Sequence, residues 1–159
     1  MTLPAVEPWP QGRHDGYRRS EVTSVVGQGD DVWRRAVDEV LRWGVKTRSG
    51  FSVDCTTPVV PGQRVSVTVT FLGLSVVEPV EVVSVVNDGQ RAGFAYRTRP
   101  GHPVRGEEAF IVSRHDDEVR LTVRSLTRAA PRHPWRLLFP ILLLVQRVVR
   151  RRYLRSLLP

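Results

Sequence analysis

The stretch Phe94-Ala95-Tyr96-Arg97-Thr98-Arg99-Pro100-Gly101-His102-Pro103-Val104-Arg105-Gly106-Glu107-Glu108-Ala109-Phe110 holds one strand, a tight turn and the start of a second strand. Phe94, Tyr96 and Thr98 alternate with Gly93, Ala95 and Arg97, which is the period of a strand that shows bulk to one side only. Pro100-Gly101-His102-Pro103 must turn, because the prolines fix φ and withhold backbone donors while the glycine is free to take positive φ. Gly106 then releases the chain into a strand over 107–112, in which Glu107 and Glu108 point to opposite faces. One of the two carboxylates therefore sits at the rim of an apolar face.

Working outward, His115-Asp116-Asp117 reads as a turn, and Val119, Leu121 and Val123 alternate with Arg120, Thr122 and Arg124 in a last strand. In the other direction, Asn87-Asp88-Gly89 is hairpin chemistry. It joins the central strand to a valine-rich piece over 76–86, where Pro79 cannot donate to a ladder and argues for two short strands or a bulged edge. Before that, Pro61-Gly62 turns into a strand with Val65, Val67, Val69 and Phe71 on one side, and Gly73 ends or bulges it. The result is an antiparallel meander with short turns and no crossover helices.

Upstream of the meander, Tyr17 to Val26 is a first strand. Gly27-Gln28-Gly29-Asp30-Asp31 breaks it, with Asp30 or Asp31 as N-cap. A helix follows over 32–43, its apolar stripe made by Trp33, Ala36, Val37, Val40, Leu41 and Trp43, and Gly44 ends it. Gly27-x-Gly29 lacks the third glycine and the parallel βα units of a dinucleotide site, so it is a turn into a cap. Downstream, Arg132-His133-Pro134 leads into a helix over 135–158, with Leu138, Leu142, Val145, Val149 and Tyr153 at helical spacing and Pro140 as a kink or restart. Its apolar run from Leu137 to Val145 falls well short of the about 20 residues a bilayer span needs. An antiparallel sheet needs its apolar face covered, so this helix is expected against the concave face. A membrane-interfacial role for its arginines is the less favoured alternative.

Composition narrows the classes. The 159 residues suffice for one core without staples. Residues 1–16 read as a Pro-rich tail and 17–159 as a single domain. Cys55 is the lone cysteine, so no internal disulfide forms and a reduced cytoplasm is the default setting. The net charge of +8 is carried by arginines spread along the chain, with Lys46 as the only lysine. The spread argues against nucleic acid, and the cluster Arg147, Arg150, Arg151, Arg152 and Arg155 reads first as a solvated helix face.

Strand, helix, meander and long terminal helix is the order of an α+β helix-grip architecture: a curved antiparallel sheet of about six or seven strands around a C-terminal helix, with one shorter helix near the N-terminus. The central stretch, with Gly106-Glu107-Glu108-Ala109-Phe110, resembles the signature of the bacterial and plant family known as domain of unknown function nineteen-ninety. Further landmarks are Gly27, Gly29, Trp43, Pro61-Gly62, Gly73, Ser125, Arg128, Pro140, Gln146 and Arg152-Tyr153-Leu154, so the resemblance runs from about residue 17 to the end. Arg97 and Arg99 depart from it, standing where that family usually has a glycine and an apolar residue. The resemblance implies a helix-grip, START-like fold and supplies no reaction.

Such a fold is expected to hold a small apolar or amphipathic molecule between sheet and terminal helix, with Tyr96, Thr98, His102, Glu107 or Glu108, and Arg128 as polar contacts. The alternative is an enzyme of isomerase, cyclase or hydrolase type in the same cavity, with His102 and a glutamate as acid and base. Against these stand structural readings: His102 as a surface turn residue, and a glutamate that caps the turn or pairs with Arg128. His102, Glu107, His115 and Asp116 show no metal-ligand spacing, and Cys55 and Ser125 lack the surroundings of a nucleophile. No P-loop is present, and no metal or cofactor is expected.

Overall fold

A computed structural model describes residues 1–12, 16–71, 73–129 and 135–158. The strands are β1 (Arg18–Gln28), β2 (Phe51–Val53), β3 (Arg64–Phe71), β4 (Leu74–Asn87), β5 (Arg91–Thr98), β6 (Val104–His115) and β7 (Glu118–Ala129); the helices are α1 (Asp30–Leu41), α2 (Gly44–Thr47) and α3 (Trp135–Arg155). The strands form one antiparallel sheet in the order β1-β7-β6-β5-β4-β3-β2, curled into a half-barrel. The expected helix-grip fold is therefore present.

Register decides what faces inward. Val82, Tyr96, Glu108, Ser125 and Ser20 form one row across β4, β5, β6, β7 and β1, and Val85, Phe94, Phe110, Val123 and Val22 form another. These rows line the concave face, where Phe94 and Phe110 are fully buried. Trp43 meets Phe94 edge-on at 4.7 Å, and Tyr153 meets Phe110 edge-on at 5.1 Å, the geometry that aligns ring edges with ring faces. The indole N–H of Trp43 has no hydrogen-bond partner among the described residues, so its contribution is packing.

Several local expectations are corrected. The N-cap of α1 is Gly29, not an aspartate: Gly29 sits at φ 92, and its N–H donates to Asp117 O at 2.9 Å. Asp30 and Asp31 occupy the first turn instead and pair with Arg114 and Arg34. Gly44 does not end the helical segment. Trp43 takes a left-handed conformation (φ 65), and Gly44 opens α2, with Glu39 so close behind it that a side chain has no room. Pro79 breaks no strand, for β4 runs through it as an interior strand paired with both β3 and β5, and the bulge falls between Val82 and Ser84. The Pro79 carbonyl still accepts the Arg99 N–H at 2.9 Å. Gly106 lies inside β6, where the backbone of Leu126 crowds the space a Cβ would take.

The covering of the concave face is shared. α1 packs over β5 and β6, while α3 touches β7 and β1. Tyr153 and Leu157 are buried and Val149 and Leu154 partly so, but Val145, expected in the packed stripe, is 49% exposed. Arg132-His133-Pro134 and the side chains of Phe71, Leu138 and Leu142 lie outside the described residues. On the convex face, the N-terminal residues pack across the sheet: the buried Arg124 guanidinium donates to the carbonyls of Thr2 (3.2 Å), Leu3 (2.8 Å) and Val6 (2.8 Å) and to Glu21 (2.6 Å). Trp9 lies beneath Arg19, 3.8 Å from guanidinium carbon to ring centroid.

Candidate functional site

Adjacent residues on β6 send their carboxylates to opposite sides, and register assigns each. Glu107 shares its row with Arg97 and Leu126 on the convex face, where it accepts from the backbone N–H and the hydroxyl of Thr2, each at 2.5 Å. Glu108 shares its row with Tyr96 and Ser125 on the concave face. A signal for this was present in the sequence, since Glu108 has the same parity as Phe110 and Val112.

Around Glu108 lies a buried polar cluster. The Tyr96 hydroxyl donates to Glu108 Oε2. Lys46, on α2, reaches Glu108 at 3.3 Å and Glu78 of β4 at 4.0 Å, and donates to the Tyr153 hydroxyl of α3 at 2.6 Å. The Lys46 ammonium is also surrounded by rings, with the centroids of Phe51 at 4.6 Å, Tyr153 at 5.1 Å, Tyr96 at 5.3 Å and Phe110 at 5.9 Å. An ammonium is a compact point charge that such faces attract, whereas a planar guanidinium needs a wider slot. That the only lysine of an arginine-rich chain occupies this box was the sequence signal for its role. Sequence reasoning passed it over.

Electrostatics follow from burial. Burial first, then the charge of neighbouring Glu108, pushes the Tyr96 phenol far up, and the same causes act on Tyr153, so both stay protonated near neutrality. Burial raises the Glu78 carboxyl; the Lys46 charge opposes that rise and Glu108 adds to it. His102 is buried, with Nδ1 accepting the Val104 N–H at 3.1 Å and Nε2 3.8 Å from Glu78 Oε2. Burial and then the Lys46 charge lower its pKa to about 3, so the imidazole is neutral at physiological pH. Its nearest carboxylate is thus Glu78, which sequence reasoning did not select. Thr98 accepts the Gly106 N–H at 3.0 Å and so ties the turn together. Arg128 lies over the Tyr17 ring at 4.6 Å. Arg97 and Arg99 both approach Glu81, at 2.9 and 3.8 Å.

The aromatic side chains fill the middle of the gap between sheet and helices. Open space lies at one end of it: a cleft of about 310 Å³ between β1 and α3, lined by Arg18, Pro140, Leu143, Leu144, Arg147 and Arg150. Arg150 connects this cleft to the buried cluster. Its guanidinium donates to Ser125 Oγ at 2.9 Å, Ser125 is the cross-strand neighbour of Glu108, and burial lowers the Arg150 pKa while the charge of Glu108 opposes that fall. Ser125 therefore serves as an acceptor for Arg150. Among the described residues, no group of three or more His, Cys, Asp or Glu side chains is placed to hold a metal ion.

Solved structures with the same architecture are similar at low identity. The hypothetical protein jhp0584 from Helicobacter pylori matches 99% of this chain and 97% of its own at 16% identity and a TM-score of 0.66. The Zhui aromatase/cyclase from Streptomyces sp. R1128 matches 89% of this chain and 93% of its own at 14% identity and a TM-score of 0.60. At these identities the likeness concerns the fold. A UPF0548 protein of Deinococcus radiodurans is 33% identical over 116 residues, which takes in 65% of this chain and 58% of that protein, so this chain spans little over half of its relative's length. The sequence model of a family described as a domain of unknown function (DUF1990) matches residues 3–156, and the chain belongs to that family.

Proposed function

We propose that the protein binds a small amphipathic molecule with an anionic group in the cleft between β1 and α3. The observation that carries this reading is the lining itself: Leu143, Leu144 and Pro140 offer apolar surface, and Arg18, Arg147 and Arg150 converge on the same space without a carboxylate among the lining residues. At about 310 Å³ the cleft is at the small end of ligand sites, which supports a compact molecule or one end of a longer one. The guanidiniums favour carboxylate or phosphate, which they bind through paired N–H donors. Titration calorimetry with medium-chain carboxylates and with the matching neutral alcohols tests this. Saturable binding of the acids, weakened by Arg147→Gln and absent for the alcohols, is the expected result; equal heats for acid and alcohol would exclude it.

Catalysis in the cleft is the second reading. The observation in its favour is the link through Arg150 and Ser125 to Glu108, Tyr96, Lys46 and Tyr153, a set holding a partly buried carboxylate, an ammonium and two protonated phenols. The Zhui aromatase/cyclase has a similar architecture. Turnover of a bound molecule that disappears in Glu108→Gln, with binding retained, is the result this reading requires.

A further inference from the structure

The outward face of α3 carries an apolar stripe that nothing among the described residues covers. Ile141 is 59% exposed, Leu144 60%, Val145 49% and Val148 51%. Their spacing of three, one and three residues puts them on one side of the helix. The opposite side holds what packs inward: Val149, Tyr153 and Leu154. Along the helix axis the same outward face changes character after Val148, becoming the exposed cations Arg151, Arg152 and Arg155. The α3 sequence, WRLLFPILLLVQRVVRRRYLR, contains no acidic residue.

We propose that this face of α3 docks on an anionic membrane surface, with Ile141, Leu144, Val145 and Val148 immersed among the upper acyl chains and Arg151, Arg152 and Arg155 at the phosphates. Charge decides the occupant: a patch that joins an apolar stripe to an arginine cluster without an ion pair among the described residues matches a surface that presents hydrocarbon just beneath a layer of negative charge. A second copy of this chain would bring a second set of arginines against the first. No helix among the described residues is long and apolar enough to cross a membrane, so the contact is one of lying on the surface. Leu144 and Arg147 line the cleft, so the docked face borders its mouth; the docking stands whether or not the cleft takes a ligand.

The test is co-sedimentation of the full chain with vesicles of phosphatidylcholine alone and of phosphatidylcholine mixed with phosphatidylglycerol, at low and at high salt. Binding to the mixed vesicles, weak on neutral ones and reduced by salt, is expected. Val145→Asp with Val148→Asp should lower it by about tenfold or more, because it removes apolar insertion and adds charge. Arg151→Gln with Arg155→Gln should also weaken it. All four side chains are exposed, and unchanged circular dichroism and melting temperature would establish that the variants fold. Equal capture by neutral and anionic vesicles, binding indifferent to the Val145/Val148 pair, or a dimer dispersed by that pair without any vesicle binding would each overturn the proposal.

Discussion

Lys46 Nζ donates a 2.6 Å hydrogen bond to the hydroxyl of Tyr153, and through this contact the four-residue helix α2 holds the C-terminal helix against the sheet. The ammonium is desolvated, with its side chain only 4% exposed, and its compensation comes from Glu108, Tyr153 and the surrounding rings.

Lys46→Met should therefore destabilise the protein by about 3 kcal/mol or more, because Glu108 is left largely buried without its cation. Tyr153→Phe, which keeps the ring, should cost about 1–2 kcal/mol. Urea unfolding of the two variants and the double variant measures both losses and their coupling. Additive losses would mean that the pair does not act as a unit.

His102 makes stability depend on pH in a defined window. Its folded pKa lies below the unfolded one, at about 3 against 6.5, so its contribution is complete above pH 6.5 and is lost as pH falls towards about 3. Within that window it amounts to at most about 1.4 kcal/mol per pH unit. Glu78 acts in the opposite sense, for a raised carboxyl favours the folded state at low pH and loses that advantage as pH rises through its folded pKa. His102→Asn should flatten the acid limb of the stability curve between roughly pH 6.5 and 4. Parallel limbs for variant and parent in denaturant titrations would contradict the assignment.

Gly106→Ala should cost about 2–4 kcal/mol, since the added Cβ runs into the backbone of Leu126 and only a strand shift relieves it. Gly62→Ala meets no atom within 4 Å, and its cost of about 1 kcal/mol comes from the φ of 84 alone. Chemical denaturation of both variants ranks the two effects.

Arg124 holds the N-terminal residues to the convex face through the carbonyls of Thr2, Leu3 and Val6. Arg124→Met should detach them and lower stability by about 3 kcal/mol. Limited proteolysis provides the readout: the first ten residues should be trimmed much faster in the variant than in the parent, and equal trimming would show that other contacts hold the segment.

Much of the fold was legible in residue order. The alternation in β3, β5 and β7, the Asn87-Asp88-Gly89 hairpin and the amphipathic α1 are encoded within windows of a few residues, because side-chain period and turn chemistry are local properties. Places where reading failed required distant partners. Pro79 looked like an interruption, yet its carbonyl is used by Arg99 and its strand is interior. Val145 fitted the spacing of a buried stripe in which Val149 and Tyr153 do pack inward, but periodicity does not say how far a face reaches into the core, and Val145 stays exposed.

Local sequence determined the elements, the turns, the meander order and the opposition of Glu107 to Glu108, since each follows from covalent geometry and nearest-neighbour sterics. Only tertiary structure decided that the Tyr96 hydroxyl donates to Glu108, that Lys46 and Tyr153 meet each other across 107 positions of separation, and that open space lies at Arg18, Arg147 and Arg150. Those outcomes depend on strand register and on how far the helices fill the concave face, which are sums over contacts that no single window of the chain contains.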